Sequence, residues 1–345
     1  MGKILTQKDV LDPLLELYES GGGNTYYLGF NALARLYSIK EGGCTDWVGY
    51  GGSGKSALLL ECLKNTSEWY GHKHLIYMPD AGSNEEVIGQ ILHKMSGKQF
   101  DKFYYNKEGL KVEIKNRLSK EEIVKLLPTV LEYFKVYVPT SKAGKSDSRS
   151  KAVTPKEFWQ FCVDNKKELG LFSGVIDSWN YMRHDTEGFS REDKWLEDTL
   201  SFRNELAESS KLHFHTIIHP KSAKKNKDGK IIMPDYHEMK GGSEWGNNGK
   251  TIIIVHREFS STTAEIKVDK AKPKIVGVRG TTTLEYDVDK GAYFEYVGDG
   301  NSGRKKYAEK KEVSNVEIDY KPVTTINENF ENEKQGEDIA DDLPF

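Results

Sequence analysis

Two hydrophobic periods alternate along this chain. Short apolar runs predict strands at Thr45–Val48, His74–Met78, Phe134–Val138, Leu171–Ile176, Leu212–Ile218, Thr251–His256 and Ala264–Val268. Between most of them the apolar positions fall three and four apart. That spacing predicts helices over Ser56–Trp69, Glu85–Met95, Lys120–Glu132, Pro155–Lys167 and Asp193–Ser209. Strands alternating with helices imply an α/β fold, a mostly parallel sheet with helices on both faces.

The ends of the chain differ from this middle. Residues 1–28 hold one apolar helix pattern, Val10–Tyr18, closed by Gly21-Gly22-Gly23, and read as an arm or linker helix. Thr281–Val297 reads as a C-terminal β-hairpin turning at Asp289-Lys290-Gly291. Ser141–Lys151 is a polar loop. Residues 298–345 lose apolar periodicity and read as a disordered acidic tail. The expected division is therefore 1–28, 29–297 and 298–345.

Composition narrows the class. A hydrophobic content of 37% over 345 residues suffices for a globular core. The three cysteines, Cys44, Cys62 and Cys162, suggest neither a disulfide framework nor a metal site, so a reducing, cytoplasmic compartment is expected. Met1–Val10 lacks the apolar core of a signal peptide, and no apolar run is long enough to cross a bilayer. The net charge of −3 is uneven: residues 326–345 carry seven acids and one lysine, leaving residues 1–325 at +3. A mildly basic body with an acidic arm suits a protein that touches nucleic acid.

Gly49–Ser56 reads G-Y-G-G-S-G-K-S and fits the phosphate-binding pattern G-x-x-x-x-G-K-[ST]. Gly49, Gly51, Gly52 and Gly54 let backbone N–H groups turn inward on a phosphate chain, with Ser53 among them. Lys55 would reach the β/γ-phosphates and the Ser56 hydroxyl would hold Mg²⁺. A strand precedes the loop, and a helix beginning at Ala57 follows it. The chain is thus expected to bind ATP with Mg²⁺.

Leu171–Asp177 is an apolar strand ending in a carboxylate, the form that delivers an aspartate to the Mg²⁺ shell. Leu212–Ile218 ends in His219-Pro220-Lys221, and a polar side chain there would sit beside the γ-phosphate. Lys221–Lys230 then carries five lysines in ten residues, including Lys221, Lys224, Lys225 and Lys227. Such a run is either a solvated loop or a contact to nucleic-acid phosphates. In Tyr236–Asn248, Lys240 supplies charge, and the Gly241-Gly242-Ser243 turn allows close backbone approach to a ligand, with Trp245 beside it.

The order P-loop, I-D-S-W-N, H-P-K, G-G-S-E-W-x-N, then a strand followed by K-x-K, resembles the ring helicases of the DnaB/Twinkle type, closest to the Twinkle-like and phage primase-helicase branch. The matches run over about residues 29–297, where Gly29–Leu33 matches the family's lead-in to the core. The resemblance implies a RecA-like P-loop ATPase core that assembles as a hexameric ring. It implies a replicative helicase moving 5′→3′ on single-stranded DNA. Asp177 becomes the Walker B carboxylate and His219 the γ-phosphate sensor. Lys221–Lys230 and Glu238–Asn247 become the channel loops. Lys270 and Lys272 become the pair that reaches the neighbouring subunit's nucleotide.

Three features depart from the family pattern. The catalytic Glu ending the second strand is missing, and the nearest carboxylate is Asp80. The finger pair is Lys-Ala-Lys, which keeps the charge but loses the bidentate contact of arginine. No primase domain precedes residue 29, so a separate primase is expected. The tip, Glu337–Phe345, resembles the end of bacterial single-stranded-DNA-binding proteins. There Asp341, Asp342, Leu343, Pro344 and Phe345 would dock on a replication partner. Two alternatives use the same core: a RecA-like recombinase or filament-forming DNA-dependent ATPase, and a catalytically weak scaffold recruited through its tail.

Overall fold

A computed structural model describes residues 4–105, 110–139, 153–239, 241–258, 261–287 and 291–296. The polar loop Ser141–Lys151, Asp289 and Lys290 of the expected turn, Lys240 and the acidic tail lie outside the described residues.

Among the described residues, nine strands form one central sheet. They are β1 (Cys44–Val48), β2 (Lys73–Tyr77), β3 (Phe134–Val136), β4 (Leu171–Asp177), β5 (His213–Ile218), β6 (Thr251–His256), β7 (Thr263–Lys270), β8 (Gly280–Asp287) and β9 (Ala292–Glu295). Their order in space is β9-β8-β7-β6-β1-β5-β4-β2-β3. The strands from β6 to β3 in that order run parallel, while β7, β8 and β9 extend one edge in antiparallel pairing. The chain therefore has the mostly parallel α/β architecture expected from its periodicity.

Helices of about two turns or more are α1 (Gln7–Glu19), α2 (Lys55–Tyr70), α3 (Asn84–Ser96), α4 (Lys120–Tyr133), α5 (Pro155–Asp164), α6 (Glu192–Ser210) and α7 (Gly242–Asn248). Start signals in the sequence work as they should. Ser83 with Glu86, Ser119 with Glu122 and Thr154 with Glu157 form capping boxes, which satisfy otherwise orphaned backbone N–H groups. The single helix expected over Pro155–Lys167 is interrupted. Asn165 leaves helical geometry and bonds Phe161 O with its amide, and a separate turn, Lys166–Leu169, follows.

Two apolar layers sandwich the sheet. Trp47, Ile253 and Val255 join α2, α3 and α4 on one face. Val48, Ile252 and Ile254 join α5, α6 and α7 on the other. Successive strand residues point to opposite faces, so strands buried on both faces must be apolar throughout. By contrast α1 buries nothing, and Leu11, Leu14, Leu15 and Tyr18 stand in solvent. Among the described residues no helix is long and apolar enough to cross a membrane.

Polar groups also lie in this core. Arg203 of α6 grips both carboxylate oxygens of Asp46 on β1, at 2.5 and 3.0 Å, and both side chains are fully buried. Arg203 also donates to Thr216 on β5 at 3.1 Å. This clamp ties α6 to two central strands, just before the glycine-rich loop begins. Nearby, His74, His213 and His215 sit inside the sheet layers. His213 bonds Thr45 and the Lys40 carbonyl, while His74 bonds Ser173.

Candidate nucleotide and nucleic-acid site

The parallel strands deliver their C-terminal ends to one side of the sheet, where open α/β sheets bind ligands. Gly49–Gly54 leaves β1 there and enters α2. Gly54 adopts φ 89°, a left-handed conformation that glycine holds at low cost. A Cβ on Gly49 would lie 2.4 Å from the Val255 carbonyl, so that position must stay bare. At Gly51 and Gly52 a Cβ would meet nothing within 4 Å, which leaves the crest of the loop open.

Lys55 starts α2 and is largely buried. Its ammonium donates to the Tyr50 carbonyl at 2.9 Å and lies 3.4 Å from His219 Nδ1. Burial lowers its pKa to about 8, against the pull of Asp177 and Asp80. Asp177 ends β4, and burial raises its pKa to about 6, although Ser56 hydrogen-bonds it and Lys55 attracts it. His219 follows β5, and its backbone N–H donates to Asn180 Oδ1 at 3.2 Å. Burial and the Lys55 charge push its imidazole below the usual range. Asp80, just past β2, lies 3.6 Å from His219 Nε2 and accepts from Tyr181. Lys55, Ser56, Asp80, Asp177 and His219 thus meet at one sheet end although they come from four segments.

The donor set suits a magnesium nucleotide. Ser53 Oγ is buried in the loop without a hydrogen-bond partner, an acceptor or donor that a phosphate would satisfy. Ser56 beside Asp177 matches the preference of Mg²⁺ for one or two protein oxygens, with phosphate and water completing its shell. A divalent cation beside the buried Asp177 and a phosphate chain beside the buried Lys55 would each supply a counter-charge that offsets burial.

Beside this cluster, residues 221–239 form a basic excursion. Lys224 O accepts from Ile232, Lys225 pairs with Ile231, and Asn226–Gly229 make the turn. Lys221, Lys224, Lys225 and Lys227 are all exposed. The following segment differs from the open glycine turn expected. Residues 242–248 are helical, and Trp245 is completely buried, edge-on to Trp179 at 5.0 Å and 5.8 Å from the Arg203 guanidinium. Its indole is core and is out of reach of a nucleic-acid base. Gly242 and Gly246 are required by packing, since a Cβ would strike the His237 carbonyl at 2.4 Å or the Tyr236 ring at 2.3 Å. Gly241 adopts φ 75° at the start of α7.

Lys270 and Lys272 lie elsewhere. Lys270 pairs with Ile252 near the start of β6, and β6 is in parallel register with β1 from Thr251 against Thr45. Both lysines are therefore at the opposite end of the sheet from Lys55. Lys270 donates to the Gly246 and Asn247 carbonyls at 2.5 and 3.3 Å. Lys272 lines a cleft of about 790 Å³ with Lys40, Lys211 and Lys250.

Sequence reasoning missed a second group around the P-loop. Arg257, just after β6, donates to Gly52 O at 3.2 Å and lies 4.6 Å from the Tyr286 ring centroid. Tyr293 of β9 donates to Gly54 O at 3.1 Å. The β8–β9 hairpin thus braces the loop, which a hairpin read only from alternation could not reveal.

No protein-family profile and no curated protein matches this sequence. Solved structures match its fold. One, described as an ATPase domain, aligns over 85% of this chain and 100% of its own, with a TM-score of 0.61 and 14% identity. A DnaB-like replicative helicase, described with its interactions with primase, aligns over 84% of this chain and 68% of its own, with a TM-score of 0.61 and 15% identity. The chain shares the fold of these two structures, a RecA-like P-loop α/β fold.

Proposed function

We propose that this protein is an ATP-driven motor on single-stranded DNA that acts in replication as a ring hexamer, moving 5′→3′. The observation that carries it is the meeting of Lys55, Ser56, Asp177, His219 and Asp80 at one sheet end, with the lysine excursion 221–230 alongside. Lys55 leaves the Tyr50 carbonyl to hold the β/γ-phosphates of ATP. Ser56 and Asp177 hold Mg²⁺, which neutralises phosphate charge. Asp80 orients the attacking water, and His219, in contact with Asp80 and Lys55, reports the state of the γ-phosphate. Lys221, Lys224, Lys225 and Lys227 track the DNA backbone without reading sequence.

The position of Lys270 and Lys272 supports a head-to-tail assembly, of which a closed ring is one form. They cannot reach their own P-loop, but a head-to-tail interface would set one subunit's end of the sheet against the next subunit's nucleotide. Residues 29–297 would form the motor and 1–28 the arm. The acidic tip at Asp341–Phe345 would dock on a replication partner, and priming would come from a separate primase.

A DNA-stimulated ATPase assay tests the reading. Lys55→Ala should lose about 10²–10³-fold in turnover, the scale of one phosphate-stabilising contact. Turnover within about threefold of the parent, well under that scale, would rule out the P-loop assignment. Electron microscopy with ATP and single-stranded DNA distinguishes a ring from a filament.

A further inference from the structure

Tyr50 joins the nucleotide loop to the lysine excursion. Its carbonyl accepts from Lys55 Nζ at 2.9 Å. Its hydroxyl donates to Glu238 Oε2 at 2.8 Å and lies 3.4 Å from the backbone N–H of Lys224. The other Glu238 oxygen, Oε1, pairs with Lys224 Nζ at 2.9 Å. One residue of the phosphate loop thus touches the P-loop lysine with its backbone and a lysine-bearing loop through one carboxylate. Glu238 is mostly buried, with 13% of its side chain exposed, whereas 62% of Lys224 is exposed. The carboxylate is fixed, and the ammonium is free to exchange partners.

We propose that Glu238 is a nucleotide-gated lock on Lys224, opened through Tyr50; this deepens the motor reading and rests on it. Lys55 holds the Tyr50 carbonyl, the phenol holds Glu238, and Glu238 holds Lys224. A phosphate chain draws Lys55 away, and the Tyr50 peptide loses its charged partner. The loop then relaxes, the phenol–carboxylate bond weakens, and Lys224 passes from Glu238 to a DNA phosphate. An ion pair whose lysine stands largely in solvent is weak enough to be exchanged in this way. This route starts at Lys55, as the contact with His219 does, but uses no atom of His219.

The test is oligo-dT affinity of the full chain, measured with and without a non-hydrolysable ATP analogue. The parent should bind more tightly with the analogue. Glu238→Gln should tighten nucleotide-free binding about fivefold at about 0.1 M salt and steepen its salt slope by about 0.7, as expected for one added phosphate contact. In a Lys224→Ala background the same substitution should give no gain, whereas simple loss of acidic repulsion would persist there. Tyr50→Phe removes the phenol–carboxylate bond, so it should raise nucleotide-free affinity towards that of Glu238→Gln and shrink the gain caused by the analogue. The lock is overturned if Glu238→Gln binds no tighter than the parent, or if Lys224→Ala keeps the full gain. A parent that hydrolyses ATP but binds oligo-dT equally in both states loses the lock and keeps the ATPase. A parent that binds neither nucleotide nor oligo-dT loses the motor reading, and the lock with it.

Discussion

Asp80 Oδ2 lies 3.6 Å from His219 Nε2, and the other ring nitrogen of His219 lies 3.4 Å from Lys55 Nζ. Asp80, proposed above to orient the attacking water, is therefore joined to His219, the proposed sensor. Burial and the Lys55 charge disfavour the imidazolium. At neutral pH a neutral His219 links a cation to an anion and adds no charge of its own.

Asp80→Asn tests this link. If Asp80 orients and polarises the attacking water, turnover should fall by about 10²–10⁴-fold, the usual contribution of a positioned base. ATP affinity should change much less if, as proposed, Lys55 and the loop amides hold the phosphates. Single-turnover hydrolysis with separate equilibrium binding measures both. Turnover within about threefold of the parent, far below that contribution, would remove Asp80 from the chemistry.

The placement of Lys272 leads to a mixing experiment. Lys272→Ala should lose ATPase activity alone, and so should Lys55→Ala. Mixed assemblies contain hybrid interfaces with one intact P-loop and one intact Lys272, so some hydrolysis should return. No recovery at any ratio, with mixed assemblies confirmed, would mean Lys272 does not act across a boundary. Lys272→Arg should raise activity, since arginine supplies a planar fork for phosphate.

The Asp46–Arg203 clamp has a stability signature. Removing one partner leaves an uncompensated buried charge, so Arg203→Ala should cost about 3–5 kcal/mol of unfolding free energy. Replacing both with apolar residues, Asp46→Leu with Arg203→Met, should cost much less than the sum of the singles. Urea midpoints for Arg203→Ala, for the singles Asp46→Leu and Arg203→Met, and for their double decide it. Additive losses would mean that the two side chains act independently.

The buried histidines set the pH dependence of stability. Burial lowers His213 to about 4 and His74 to about 3, and His215 well below the usual value. Their folded-state pKa values lie below the unfolded value of about 6.5, so the unfolded chain takes protons first. Stability is full above about pH 6.5 and declines as pH falls from there towards about 4. Each imidazole should contribute a loss of up to about 2 kcal/mol between about pH 6.5 and 5, at roughly 1.36 kcal/mol per unit. The urea midpoint should fall over that range, and His213→Gln should flatten the fall. A midpoint constant from about pH 7.5 to 5 would contradict this account.

Features made by neighbours in the chain were open to reading from the residues alone. The P-loop, its flanking strand and helix, the capping boxes and the apolar strands are set by backbone geometry and burial over a few residues. Local chemistry determines those, so spans such as Thr251–His256 and Lys120–Glu132 agree with the structure to within a residue or so. That Asp177 and His219 come to the same side of the sheet followed from the α/β rule, because parallel strands carry their C-terminal ends to one side; that their strands are neighbours did not.

Contacts between distant segments needed the folded chain. Trp245 reads as a ligand-facing aromatic beside a glycine turn, yet α7 turns it onto Trp179, because a large indole gains more from burial than from exposure. Lys270 and Lys272 read as a strand-end pair, but only the antiparallel register of β7 against β6 puts them far from their own P-loop. Arg257, Tyr293 and the Tyr50–Glu238–Lys224 chain come from segments far apart in sequence. Their placement depends on strand order and on how the last hairpin pairs. Those choices come from packing summed over the whole sheet, and no short window of sequence contains that sum.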